Sequence, residues 1–171
     1  VKKIEADVND INDVDILLVI HPKDFSEKAQ FAIDQFVLKG GRTILCVDPH
    51  CYVDRPARPP MGMQQQAPPK QDSNLPRLLE TWGLEMPPST FAGDAELAML
   101  ASGGPNSRPQ KLIGYLRLTP DSDCFNKDNV ITAQLNDVKF PFAGALKVLD
   151  VSDSNDSSAP QLTHTPLLQT T

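Results

Sequence analysis

Polar residues able to do chemistry follow directly after two aliphatic stretches of the sequence. They are His21, Lys23 and Asp24 after the first stretch, and Asp48, His50 and Cys51 after the second. In open α/β sheets, ligands bind beyond the carboxyl ends of the strands. If the two stretches are neighbouring parallel strands, these six side chains gather at one edge of the sheet. We therefore expect any ligand-binding site to lie there.

Cysteine catalysis is one interpretation of this set, with Cys51 as the nucleophile and His21 as its base. A nucleophilic thiol needs an imidazole within hydrogen-bond reach and donors for the oxyanion. His50 is adjacent to Cys51, and side chains of adjacent residues rarely point at each other. No Gly-x-Cys-Gly turn surrounds Cys51. The favoured interpretation is an incidental loop thiol, so we expect no catalytic residues.

Metal and nucleotide chemistry have little support in the sequence. A hard cation needs several oxygen ligands at defined spacings, which Asp24 and Asp48 do not supply. The three cysteines show no CxxC or Cys/His metal spacing. The residues after the first aliphatic stretch are His21 to Asp24 instead of a phosphate-binding glycine loop. We expect neither a metal nor a cofactor.

The elements that position these residues form a β-α-β unit from Asp15 to Pro49. Residues 15–20 and 43–48 are aliphatic runs of strand length, typical of strands covered on both faces. The crossover between them predicts parallel strands with a right-handed connection. Cys46 lies inside the second strand and is predicted to be a core residue.

The helix between the two strands has clear boundaries. Ser26 is a natural N-cap, and Glu27 lies at the positive end of the helix dipole. Gly40-Gly41 ends the helix, because glycine adopts the left-handed C′ conformation without strain. The apolar stripe of this helix consists of Ala29, Ala32, Ile33, Phe36 and Val37.

Beyond Pro49 the sequence predicts shorter elements around a long irregular segment. Residues 55–72, rich in proline and glutamine, predict a mobile surface loop. Ser73-Asn74 is expected to cap a short helix that runs to Trp82, a predicted core residue. The other predicted elements are strands at 1–7, 112–118, 138–142 and 144–149, and short helices at 95–101 and 128–135.

Composition argues against a nucleic-acid-binding face and against a membrane-spanning helix within these residues. The net charge of −6 and the absence of a Lys/Arg cluster argue against a nucleic-acid binder. No apolar run reaches the roughly 20 residues that a membrane-spanning helix needs. We expect residues 1–171 to be a single soluble domain of a longer protein whose membrane anchor lies elsewhere.

Several strings of the sequence resemble the GldG-type auxiliary family of ABC transport systems. They are Asp15 to Pro22, Phe25 to Glu27, Ala32 to Gly41, Val47 to Pro49, Leu78 to Gly83, Val130 to Ala133, Ala143 to Leu146 and Thr165 to Thr170. The family comprises uncharacterised and gliding-motility-associated membrane proteins. The His50-Cys51 pair departs from what the family usually has after the Asp-Pro, which argues against a family-wide cysteine mechanism.

The resemblance implies an α/β fold of three layers with a mostly parallel, flavodoxin-like sheet. It is related to class I glutamine amidotransferases without their catalytic residues. The implied function is a non-enzymatic accessory or ligand-binding domain on the periplasmic face of the bacterial inner membrane, anchored by transmembrane helices. The implied partners are the ABC permease and ATPase of the same system, with no nucleic acid.

Two other functions remain open from the residues. One is a hydrolase or amidotransferase-like enzyme that uses Cys51 with His21. The other is a carbohydrate-binding module that stacks sugars on Trp82, Tyr52 and Tyr115, in which case the ligand is a glycan.

Overall fold

The computed structural model describes residues 1–54, 70–102, 107–149 and 162–170. Two compact units make up the chain, Val1–Ser89 with Leu146–Ser157 and Thr90–Ala145 with Ser158–Thr171. The predicted mobile loop at 55–72 lies outside the described residues except for its last three positions. Among the described residues, no helix has the length and apolar character needed to cross a bilayer.

The predicted β-α-β unit is present in the first unit. Strand β1 spans Ile16–Ile20, helix α1 spans Glu27–Leu38, and strand β2 spans Arg42–Cys46. The two strands pair in parallel, in a register that runs from Ile16 opposite Arg42 to Ile20 opposite Cys46. The parallel pairing predicted for Asp15 to Pro49 is confirmed.

Both ends of α1 have the predicted caps. The Ser26 Oγ accepts a hydrogen bond from the Ala29 N–H at 3.2 Å. Gly40 has a φ of +89°, the left-handed conformation that favours glycine after a helix. The buried face of α1 is formed by Ala29, Ala32, Ile33 and Phe36, as the apolar stripe predicted.

Replacing Ser26 with alanine is expected to lower the free energy of unfolding of the first unit by about 1 kcal/mol, because an N-terminal N–H of α1 loses its acceptor. Urea unfolding followed by the fluorescence of Trp82, the single tryptophan, measures this loss. Ser26→Asp is the matched control, since aspartate caps as well as serine. Equal losses in both variants would contradict a capping role.

Helix α1 covers only one face of the β1–β2 pair. Leu17 and Val19 point toward α1 and are buried, together with Ile11, Ala32, Ile33, Phe36, Leu75 and Leu78. The alternate residues of β1 are exposed, so the expectation that the strand is covered on both faces is not met within the described residues. The prediction that Cys46 is a core residue is wrong, because it lies on the exposed face of β2.

The rest of the first unit contains helix α2, at Pro76–Thr81, and a small antiparallel pair, β3 at Leu84–Glu85 with β7 at Lys147–Val148. Ser73 and Asn74 do not cap α2, contrary to the prediction; Leu75 is its N-cap residue and makes no side-chain cap. The Ser73 Oγ instead accepts a hydrogen bond from the Asp48 N–H. The strand β3 has no counterpart in the sequence predictions.

The second unit contains a three-stranded antiparallel sheet. Its strands are β4 at Ala98–Ala101, β5 at Gln110–Leu118 and β6 at Val138–Pro141, in the order β4-β5-β6. Its core consists of Leu97, Leu116, Leu118, Cys124 and Phe125.

The strands predicted at 112–118 and 138–142 are confirmed by this sheet, whereas three shorter predictions are wrong. Residues 98–101 form a strand instead of a helix, residues 128–135 form turns, and residues 1–7 form no strand. Only the β1–β2 pair is parallel among the described strands. The three-layer flavodoxin-like fold stays a prediction.

Candidate functional site

Three of the predicted site residues, His21, Lys23 and Asp24, lie where β1 ends, in an irregular backbone. His21 continues the pairing of β1 with β2 by donating its N–H to the Cys46 carbonyl at 3.0 Å. Its φ of +49° is left-handed, and that of Asp24 is +54°. Such angles are uncommon for residues other than glycine, although His and Asp tolerate them better than most. The chain therefore turns sharply at the carboxyl end of β1.

Asp54 brings His21 and Lys23 together. Its Oδ2 accepts a hydrogen bond from the Lys23 Nζ at 2.5 Å and lies 3.3 Å from the His21 Nε2. All three side chains are about one-third exposed or less. The carboxylate thus joins the end of β1 to the segment that follows β2. We call His21, Lys23 and Asp54 the Asp54 cluster.

The segment that carries Asp54 is held in place by Gln71 and Ser73, which come later in the chain. The Cys51 N–H donates to the Gln71 carbonyl at 2.8 Å, and the Gln71 Nε2 donates to the Asp54 carbonyl at 2.5 Å. The Ser73 N–H donates to the Asp48 carbonyl at 2.9 Å. All three contacts reach the backbone of this segment, so they hold Asp54 in place independently of its own side chain.

Of the four remaining predicted site residues, Cys51 accepts a hydrogen bond at its carbonyl from the Asp54 N–H at 3.2 Å. No side chain of these four residues is hydrogen-bonded to the cluster within the described residues. The Asp48 Oδ1 accepts from the His50 N–H at 2.9 Å, so its carboxylate caps its own turn. The His50 residue is exposed. Asp24 lies 3.8 Å from the Lys70 ammonium, at the exposed rim. The six predicted residues follow the ends of the paired strands, but among the described contacts only the side chains of His21 and Lys23 bind a common side chain, that of Asp54.

Opposite charges perturb the titration of the cluster. The hydrogen bond from Lys23, followed by the contact with His21, holds the pKa of the Asp54 carboxyl below its ordinary value. The hydrogen bond to Asp54 raises the pKa of the Lys23 ammonium, and the nearby Asp24 and Cys51 act in the same direction. Lys23 therefore remains a cation, and Asp54 an anion, at neutral pH.

The geometry does not favour Cys51 as a nucleophile. The His21 Nε2 faces Asp54, and the His21 Nδ1 is buried with no hydrogen-bond partner in the part of the chain that is described. Neither imidazole nitrogen is bonded to the Cys51 thiol in that part. A base that activates a thiol must lie within hydrogen-bond reach of it. The ion pair of Asp54 with Lys23 and its contact with His21 link the two loops.

Asp54→Asn is expected to lower the thermal midpoint of the first unit near neutral pH, because the Lys23 cation loses its counter-ion. Since the folded-state pKa of Asp54 is lowered, its contribution is present above the unfolded-state value of about 3.9. The contribution is lost as the pH falls through the folded-state pKa. The difference between wild type and variant should therefore shrink on acidification, which thermal melts followed by Trp82 fluorescence measure.

The control for this experiment is Asp7→Asn, which changes a carboxylate that forms no ion pair with any described residue. Its melting profile should follow that of the wild type over the same pH range. A gap between wild type and Asp54→Asn that stayed constant with pH would show that the ionised carboxylate is not the source of the effect.

The aromatic residues of the carbohydrate interpretation belong to two different units of the chain. Trp82 packs against the core of the first unit, and its Nε1–H donates to the Asp34 Oδ1 at 2.9 Å. Tyr52 is exposed in the same unit. Tyr115 belongs to the second unit, where its ring lies 6.4 Å from that of Phe142. The prediction that Trp82 is a core residue holds in part, because its side chain is half-buried against the core.

Sequence reasoning missed the residue on which the site depends. Asp54 lies 33 positions from His21 and outside both predicted strand ends. The only feature of the sequence that could have identified Asp54 is its position after the second strand, in the turn that begins at Cys51. As for metals, no group of three or more His, Cys, Asp or Glu side chains able to hold an ion occurs in the described ranges.

Comparison with known proteins identifies the family. The profile of a family described as an ABC-type uncharacterized transport system matches residues 1–171. The chain belongs to this family. No curated protein and no solved structure matches the chain. As a member of the ABC-type uncharacterized transport system family, the chain is an auxiliary component of transport, and the Asp54 cluster lies within the matched residues.

Proposed function

We propose that the chain is a non-enzymatic accessory domain that binds a partner subunit or a ligand of its ABC-type transport system. Its place is the extracytoplasmic face of a bacterial inner membrane, within a longer membrane-anchored protein of the GldG type, a type that includes gliding-motility proteins. Its partners are the permease and ATPase of the system. The family match to residues 1–171 supports the association with transport.

The observation that carries the non-enzymatic role is the Asp54 cluster. Asp54 binds both the Lys23 ammonium and the His21 imidazole, and so joins the two loops. A carboxylate bonded to an imidazole also occurs in catalytic triads, but there the other ring nitrogen is bonded to the nucleophile. Among the described residues neither ring nitrogen of His21 is bonded to the Cys51 thiol, so His21 is not placed as its base.

Co-purification tests the proposed association. The full-length protein, tagged and expressed with the permease and ATPase encoded beside it, should co-purify with both subunits from detergent-solubilised membranes. Cys51→Ser should co-purify to the same extent, because the thiol has no role in a binding domain. Failure of the wild-type protein to retain either subunit would refute the association.

The competing enzyme hypothesis is tested on the same preparations. Glutamine and p-nitrophenyl esters are suitable substrates for an amidotransferase-like enzyme or a hydrolase that uses Cys51. We expect identical background rates for wild type and Cys51→Ser. Turnover that depends on Cys51 would establish the enzyme and overturn the non-enzymatic proposal.

The location is tested with a thiol label. Asp121→Cys, in a background with Cys46→Ser and Cys51→Ser, places a thiol at an exposed position of the second unit. A membrane-impermeant maleimide should label it in spheroplasts without lysis. Labelling only after lysis would place the domain in the cytoplasm instead.

A further inference from the structure

The exposed face of the β1–β2 pair is apolar. It consists of Ile16, Leu18, Ile20, Arg42, Ile44 and Cys46. The aliphatic side chains among them are more than half exposed, from 56% for Leu18 and Ile44 to 66% for Ile20. On the opposite face Leu17 and Val19 are buried against α1. We call the exposed side the open face.

An uncovered face is unusual for parallel strands. Parallel sheets occur almost only with both faces covered, because their crossover helices pack on them. Contiguous exposed aliphatic side chains on a soluble protein mark surfaces that bind another element. A strand with one solvent-facing side normally alternates apolar and polar residues. Strand β1 does not alternate, since every residue from Ile16 to Ile20 is aliphatic. Its composition is that of a strand buried on both faces.

The dimensions of the open face fit one helix. Five residues of a strand extend over about 16 Å, and neighbouring strands lie about 4.8 Å apart. Three turns of an α-helix cover about 16 Å, and a helix with its side chains is about 10 Å wide. A helix that lies along the strands can therefore cover Ile16, Leu18 and Ile20 together with the facing residues of β2.

The charge on the open face specifies its partner further. Arg42 lies at the amino-terminal end of β2, opposite Ile16, and forms no ion pair with any described residue. None of the six described residues that form the open face carries a carboxylate. Two copies of this chain that met through the open face would bury Arg42 without a counter-ion, which is costly. A carboxylate on the partner, placed at the Arg42 end, removes that cost.

We propose that the open face is the docking surface for an amphipathic helix of another subunit of the transport system. That helix carries an apolar stripe about three turns long, with an Asp or Glu that meets Arg42 at one end. This inference rests on the proposed function, because it names the surface through which the accessory domain binds its partner.

Cys46 is a natural reporter for this docking, since it is exposed and lies on the open face. Cys51 lies beyond the end of β2 and provides an internal control. The alkylation of each cysteine by N-ethylmaleimide is followed by mass spectrometry, for the full-length protein alone and for its complex with the permease and ATPase. In the complex we expect the alkylation of Cys46 to be slower by about tenfold or more, as for a site that reacts only through local opening. Alkylation of Cys51 should not change.

Two substitutions on the open face should relieve this protection. Leu18→Glu places a charge in the centre of the contact, and Arg42→Glu repels the partner's carboxylate. Leu38→Glu, at an exposed leucine of α1, is the matched control and should retain the protection. The fluorescence of Trp82 verifies that each variant is folded.

The possible outcomes are distinct. If the permease and ATPase do not co-purify with the wild-type protein, the proposed function fails. If they co-purify while Cys46 alkylation stays fast, only the docking inference fails. Protection of Cys46 in the full-length protein alone assigns the covering element to the same polypeptide when it is independent of concentration, and to a second copy when it increases with concentration. Either result would overturn the assignment to another subunit.

Discussion

Replacing Ile33 with alanine is expected to lower the free energy of unfolding of the first unit by about 3–4 kcal/mol, because a buried isoleucine loses its side-chain contacts and leaves a cavity. Ile33 is 1% exposed and lies in the centre of α1, between the strands and α2. Its neighbours are held by secondary structure on several sides, so the cavity cannot close fully. Among the described core residues, this position should be among the most sensitive.

The matched control is Phe31→Ala on the same helix. Phe31 is 62% exposed, so its truncation should change the stability by less than about 0.5 kcal/mol. Urea unfolding followed by Trp82 fluorescence reports the first unit selectively, because Trp82 is the single tryptophan and packs against this core. Similar losses in the two variants would mean that α1 does not bury the face assigned to it.

The β-α-β unit was predictable because several local signals agree there. The helical spacing of Ala29, Ala32, Ile33 and Phe36 defines one buried face, and Ser26 and Gly40 mark the two ends of the helix. Each signal acts through residues close in sequence. The strand pairing then follows from the length of the crossover, which leaves few alternatives.

Residues 98–101 show where local signals fail. The sequence Ala-Met-Leu-Ala consists of good helix formers, yet it pairs with β5 as a strand. Pairing with a nine-residue partner strand outweighs intrinsic propensities of a few tenths of a kcal/mol per residue. That partner begins nine positions after the segment, beyond the reach of a periodicity argument.

The sequence predicted which polar residues follow the ends of β1 and β2, but it did not predict that Asp54 joins two of them; ligand binding at this edge stays a prediction. The carboxyl ends of β1 and β2 do bring polar side chains to one edge, as the topology requires. Asp54 was missed because its role depends on the turn that begins at Cys51 and on the contacts of Gln71 with that turn. Those contacts join residues about 20 positions apart, and no short motif encodes them.

Cys46 illustrates a different limit. A cysteine within an aliphatic strand is usually a core residue, and the prediction for Cys46 assumed that both faces of β2 are covered. Whether the second face is covered depends on an element beyond the pair itself. If the docked helix proposed above is present in the assembled system, Cys46 becomes buried there, and the interpretation of the sequence holds for the assembly.

Gly41→Ala is expected to lower the free energy of unfolding of the first unit by about 1–3 kcal/mol, because an added methyl group overpacks the core. A Cβ at position 41 would overlap the ring of Phe36, which is 6% exposed. The ring is enclosed by the residues of α1 and β1 and cannot move aside freely. The glycine therefore allows the chain to pass from α1 to β2 directly against an aromatic side chain.

A double-mutant cycle with Phe36→Leu separates this overlap from backbone effects. A smaller side chain at position 36 leaves room for the methyl group, so Gly41→Ala should be less destabilising in the Phe36→Leu background by about 1 kcal/mol. Gly40→Ala is the matched control. Its Cβ would meet open space, but its φ of +89° is strained for alanine, and that loss should be the same in both backgrounds. If Phe36→Leu changed the effect of both glycine substitutions equally, or of neither, contact with the ring would not be the reason for glycine at position 41.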